Sequence, residues 1–185
     1  MAKLATSPKF VLVGALLLVL MLTGGALAEE KWGPFRGKVV DEETGHPIPG
    51  AVILMIWYKL VYAVVETKME FYDAREAVTG PEGTFEIPRL SPPFFTFRFD
   101  RPHWTLFAPG YDLHRVIVTP PTGQRLVDPT VIEMRKLRTR EERLNALSRA
   151  DPPTNVPLDK KCLYIEAQNR EAKNIGLSVL PECQE

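Results

Sequence analysis

Phe35-Arg-Gly-Lys-Val-Val-Asp-Glu-Glu-Thr-Gly-His-Pro-Ile-Pro-Gly-Ala-Val-Ile-Leu54 holds two extended segments joined by a turn and a proline-rich crossing. Residues 36–41 read as a strand, with Val39 and Val40 in its apolar part. Glu42-Glu-Thr-Gly45 is turn chemistry, since glycine accepts a positive φ without steric cost. The prolines of Pro47-Ile-Pro-Gly50 lack ladder donors, so this piece crosses rather than pairs. Residues 51–58 (Ala-Val-Ile-Leu-Met-Ile-Trp-Tyr) are an unbroken apolar run rich in β-formers, which predicts a strand buried on both faces.

Working outward, residues 59–72 alternate as an extended segment does and read as an insertion, partly strand, between the second and third core strands. Residues 75–79 and 84–88 are expected to pair as a hairpin around Gly80-Pro-Glu-Gly83. Ser91-Pro-Pro93 opens a loop, and Phe95, Phe97 and Phe99 alternate beyond it. Residues 104–108 form a short strand ending at Pro109-Gly-Tyr111. Residues 114–119 and 131–137 supply the last two strands, separated by Pro120-Pro-Thr-Gly123. Short strands at this spacing predict a mainly β sandwich of seven to eight strands, not a parallel α/β sheet.

Composition changes at Thr139. Thr139-Arg-Glu-Glu142 is a capping box, in which hydroxyl and carboxylate satisfy free amides at a helix start. Leu144 and Leu147 give that helix a narrow apolar stripe. Residues 151–157 read as a linker stiffened by prolines. A second helix is expected over 160–174, capped by Asp159 and stopped by Gly176. The chain thus divides into a sandwich at 29–138 and a two-helix C-terminal appendage at 139–185.

The order of these features resembles a carboxypeptidase regulatory-like domain, a small sandwich related to transthyretin. Gly37-Lys-Val-Val-Asp41, Thr44-Gly45 and Pro47-Ile-Pro-Gly-Ala-Val52 are similar to its opening strand, turn and second strand. Ala77-Val-Thr79 with Gly83-Thr-Phe-Glu-Ile87 is similar to its next pair, although Gly80 stands where an acidic residue is commonest. Leu106-Phe-Ala-Pro-Gly-Tyr111 resembles its late strand and Gly-Tyr corner. The resemblance spans residues 35–137. It implies a transthyretin-like sandwich outside the cytoplasm and no single activity, because function lies in sites grafted on folds.

Residues 1–28 read as a secretory signal peptide. Lys3 and Lys9 supply the positive start, residues 10–22 the apolar run, and Ala26-Leu-Ala28 the small-x-small cleavage pattern. An uncleaved anchor is the competing reading, but the strongly apolar part is shorter than the roughly 20 residues a bilayer needs. Without Lys3 and Lys9, 21 basic residues face 23 acidic ones, so nothing marks the chain for nucleic acid. Cys162 and Cys183 are the only cysteines. In an exported chain that count favours a disulfide, expected to staple the second helix to the tail without supporting the sandwich.

No catalytic or metal-binding set is legible, and no cofactor is expected. None of His46, His103 and His114 begins the His-x-x-Glu pair of a zinc peptidase. Arg101-Pro-His-Trp-Thr105 resembles the iron-binding block of intradiol dioxygenases, but its second histidine is missing and Phe94 and Phe95 stand where a ligand tyrosine would be sought. Transthyretin-related urate-pathway hydrolases end in Tyr-Arg-Gly-Ser, which this chain lacks. Trp32, Trp104 and Tyr111 are the binding candidates, for a glycan or a peptide. Phe94, Phe95, Phe97, Phe99 and Phe107 alternate as core residues do. The expectation is a non-catalytic exported module for binding or assembly at the cell envelope, periplasmic or extracellular, whose partner is an envelope protein or a glycan. A carbohydrate-binding module and a divergent dioxygenase-like enzyme are the alternatives.

Overall fold

The computed structural model describes residues 32–62, 66–91, 98–116, 130–150, 154–179 and 183. Among them run β1 (Phe35–Asp41), β2 (Val52–Tyr62), β3 (Thr67–Val78), β4 (Thr84–Ile87), β5 (Arg98–Phe99), β6 (His103–Phe107), β7 (His114–Val116) and β8 (Thr130–Met134). Helices α1 (Arg140–Arg149) and α2 (Cys162–Asn174) follow, with a 3-10 turn at Leu158–Lys160 between them. The architecture is therefore mainly β, as the strand pattern predicts. The leader, Phe94, Phe95, Phe97 and the turn at 120–123 lie outside the described residues.

Two sheets form. The smaller has the order β4-β1-β8 and the larger β3-β2-β6-β7. In the smaller sheet, β4 pairs β1 antiparallel and β8 pairs it parallel. β3 follows one edge of β2 along its whole length, so β6 and β5 share the other edge.

β2 decides the layering. Residues 52–58 are all buried, and period-2 alternation divides them between two cores. Ile53, Met55 and Trp57 face the smaller sheet and pack with Val39, Phe85, Ile132 and Leu106. Val52, Leu54, Ile56 and Tyr58 face the other way, onto Ala150, Val156, Tyr164 and Ala167 of the helical segment. Fully burying each such aliphatic side chain is worth roughly 1.5–3 kcal/mol, so neither face of residues 52–58 tolerates water.

The two helices near the C-terminus are present as expected, and that second core makes them the third layer of the fold. Residues 151–157 are no spacer in their described part. Val156 is buried in the second core, and the Tyr58 hydroxyl donates to Asn155 Oδ1 at 3.2 Å. The disulfide Cys162–Cys183 forms as expected, with Cα atoms 5.7 Å apart. It closes on a helix that packing already holds against the sandwich.

Three local expectations also change. Residues 59–72 are no separate insertion, because β2 runs on to Tyr62 and β3 starts at Thr67, making one long hairpin with a bulge between Trp57 and Tyr58. Residues 75–79 and 84–88 do not pair with each other. β3 pairs β2 while β4 pairs β1, so the turn between them carries the chain from one sheet to the other. Gly83 fits that crossing, since its φ is +70° and a Cβ there would lie 2.5 Å from the Val39 carbonyl oxygen. Asp159, finally, does not cap α2. The N-cap is Lys161, without a side-chain hydrogen bond. Glu76 of β3 reaches across instead and accepts from the Leu163 and Tyr164 amides at 3.0 and 2.7 Å.

The other helix signals hold. Thr139 and Glu142 form the reciprocal capping box of α1. Gly176, at φ +73°, ends α2 in a Schellman turn, with Leu177 donating to the Ala172 carbonyl and Gly176 to the Lys173 carbonyl.

Because Tyr164 is fully buried, with its hydroxyl 3.3 Å from Thr105 Oγ1, Tyr164→Ala should cost about 3–5 kcal/mol. Denaturant titration followed by far-ultraviolet dichroism and by tryptophan fluorescence should give one coincident transition, shifted as a whole. Loss of the helical signal ahead of the tryptophan signal would contradict a shared core.

Candidate functional site

The end of the sandwich where β1 and β8 leave their sheet gathers polar groups from four segments. Asp41 closes β1, and its carboxylate accepts from the Glu43 and Thr44 amides and the Thr44 hydroxyl. The segment after β6 turns at Gly110 and lies across the exit of β8. Asp112 donates its amide to the Arg135 carbonyl, Leu137 donates to the Gly110 carbonyl, and Tyr111 bridges Lys136. The chain then enters the capping box of α1.

A shallow cleft of about 430 Å³ lies on one side of this crossing, lined by Asp41, Glu43, His46, Tyr111, Lys136 and Arg138. Its charges mostly answer one another. Arg138 clamps both oxygens of Glu43 at 2.6 and 2.8 Å. Tyr111 donates its hydroxyl to Asp41; burial first, and then that carboxylate, push the phenol above its ordinary range. Asp41 is held below the usual carboxylate range, chiefly by the Thr44 amide.

A larger cleft of about 520 Å³ opens on the other side, between the β6–β7 end of the larger sheet and β8. Trp104 contributes apolar wall, residues 130–135 the β8 side, and Glu42, Glu133 and Asp112 acidic groups, while Leu113, whose side chain packs on the second core, borders it before β7. Arg135 and Arg149 both bind Asp112, each at 2.9 Å. Burial raises the Asp112 carboxyl, but the hydrogen bonds from Arg135, Leu113 and Arg149 prevail and hold it below the usual range.

The binding candidates therefore separate. Trp104 is 5% exposed and belongs to the sandwich core, so it offers an edge to the larger cleft and no stacking platform. Tyr111 is half-buried in the smaller cleft. Trp32 lies elsewhere, edge-on to the buried Phe99 with ring centres 4.8 Å apart. Phe107 is buried against Tyr164. His103 sits within 3.3 Å of Asp100 and edge-on to Tyr58, remote in sequence and pairing from His46. No group of three or more potential metal-ligating side chains occurs among the described residues.

Other ionisable groups have structural work that sequence reading missed. Glu171, buried in α2, receives both Arg143 contacts at 2.6 and 2.7 Å and ties α1 to α2. Burial raises the Glu76 carboxyl above its usual range even though two amides donate to it. Neither pairing is signalled by spacing, since the partners lie 28 and 87 or more residues apart.

Glu142 accepts from the Arg138 and Thr139 amides and from Arg135, in that order of effect, and its carboxyl falls from 4.5 to about 2. A depressed carboxyl stabilises fully above the unfolded value and loses its contribution as pH falls through the folded one. The stability difference between the unaltered chain and Glu142→Gln should therefore shrink between about pH 4.5 and 2. Urea midpoints measured across that window test it, and a constant difference would contradict it. No protein-family profile, curated protein or solved structure compared with the chain matches it.

Proposed function

We propose that this chain is a non-catalytic exported module of the carboxypeptidase regulatory-like kind, serving binding or assembly at the cell envelope. The observation that carries this reading is how its partly buried acids are used. Asp41 organises a turn, Asp112 joins β8 to α1 through two arginines, Glu76 caps α2, and Glu171 locks the two helices together. Side chains that a hydrolytic site would keep poised for proton transfer are here held in fixed structural pairs.

Two further observations support it. The disulfide suits an oxidising compartment, in keeping with the leader read at residues 1–28. Gly45, Gly83 and Gly110, which stand in the motifs that carry the family resemblance, all have positive φ and so allow tight turns there. The burial of Trp104 favours a protein partner over a glycan that would need an open aromatic face.

The test is a cross-linking pull-down from envelope extract with the chain beginning at Glu29 as bait, alongside N-terminal sequencing of exported material and elemental analysis. A reproducible envelope partner, an N-terminus at Glu29 and no stoichiometric transition metal are expected. An N-terminus at Met1 would overturn export by cleavage. About one iron or zinc per chain retained after dialysis would overturn the non-catalytic reading in favour of a metalloenzyme.

A further inference from the structure

The two sheets do not match in width. Three strands, β4-β1-β8, face a larger sheet four strands across. The turn from β3 to β4 aligns the sheets on one side, so the shortfall falls on the other, beside β8. The cleft lined by Trp104 and by β8 opens there.

The hydrogen bonds of β8 show which of its groups face away from β1. Met134 accepts from Glu42 on the β1 side, whereas Arg135 accepts from Asp112 on the opposite side. Backbone groups alternate in direction along a strand, so Val131 and Glu133 turn theirs away from β1. Among the described residues no strand pairs with that edge. An unpaired strand edge is a template for another extended chain.

Charge specifies what fits it. Val39 and Ile132 point into the sandwich core, so Val40, Glu133 and Val131 lie on the outer face. Val131 is 64% exposed. Glu42 and Glu133 line the cleft, and neither has an ion pair among the described residues. A strand added here would set alternate residues toward the Trp104 edge, and the others beside the carboxylates of Glu42 and Glu133.

We propose that the outer edge of β8 docks an extended basic segment of a partner protein as a fourth strand of the smaller sheet, with an apolar side chain at the Trp104 edge and a lysine or arginine at Glu42 and Glu133. This rests on the binding-module reading and gives that module its site and the chemistry of its partner.

The probe is a blocked peptide of about ten alternating valines and lysines, titrated into the full mature chain while amide exchange is followed by nuclear magnetic resonance. The Val131 and Glu133 amides should exchange freely without peptide and slow about tenfold or more at saturation. Glu133→Lys should weaken this peptide about tenfold and admit an alternating valine–glutamate peptide. Val131→Pro removes an amide that the β1 ladder does not use. It should keep the fold, read by an unchanged dichroism spectrum, and abolish peptide binding.

Undiminished binding by Val131→Pro would overturn the proposal. So would amides already protected in the free chain, whether by residues 117–129 or by a second copy. An envelope partner that binds Val131→Pro as well as the unaltered chain would leave the module reading standing and remove the β8 site from it. Specific peptide binding without any envelope partner would do the reverse.

Discussion

Residues 52–58 of strand β2 have no face for water, and the rest of the structure follows from that constraint. A strand of alternating polarity needs one cover, but Val52, Leu54 and Ile56 are as apolar as Ile53, Met55 and Trp57. The smaller sheet covers the second set. The first set would lie open if the chain ended with its last strand. The helices α1 and α2 and the segment through Val156 supply that second cover. Fold class here is a consequence of one strand needing two partners.

Polar chemistry at the sheet–helix boundary then serves position. Glu76 stands at the positive end of α2, where its carboxylate satisfies two amides that Lys161 leaves without a side-chain cap. Tyr58 holds Asn155, and Thr105 meets the Tyr164 hydroxyl. Each contact joins a strand residue to the helical layer across a long stretch of sequence. Ionisable groups placed in this way make a rigid frame, and among the described residues the outer edge of β8 is one of the sheet edges left without a strand partner.

Much of this was legible in the sequence because the signals were local. The capping box at Thr139, the Gly176 stop, the turns at Gly45 and Gly110 and the apolar run of β2 all express themselves within a few residues. The run of residues 51–58 even announced two-sided burial, yet the prolines at 152, 153 and 157 suggested that the helices stood apart. Proline composition reports stiffness and says nothing of docking. Val156, the one aliphatic side chain besides proline in residues 151–157, is the sign of contact that the sequence does carry. The crossing at Gly80–Gly83 reads as a hairpin in the sequence because turn chemistry does not reveal which sheet each flanking strand joins. Trp104 is core and cleft wall at once, a distinction set by the width of the opposing sheet. The Glu76 cap lay beyond reach, since its donors are more than eighty residues away.

The central claim is that the helical layer completes the sandwich, and truncation tests it most directly. A chain beginning at Glu29 and ending at Leu137 retains every strand but exposes the outer set of β2 residues. Measured by thermal and urea unfolding under oxidising conditions, it should show no cooperative transition and should associate through the uncovered sheet. A soluble monomer that unfolds cooperatively, with the stability of the full chain, would contradict the account and restore the helices to the status of an appendage.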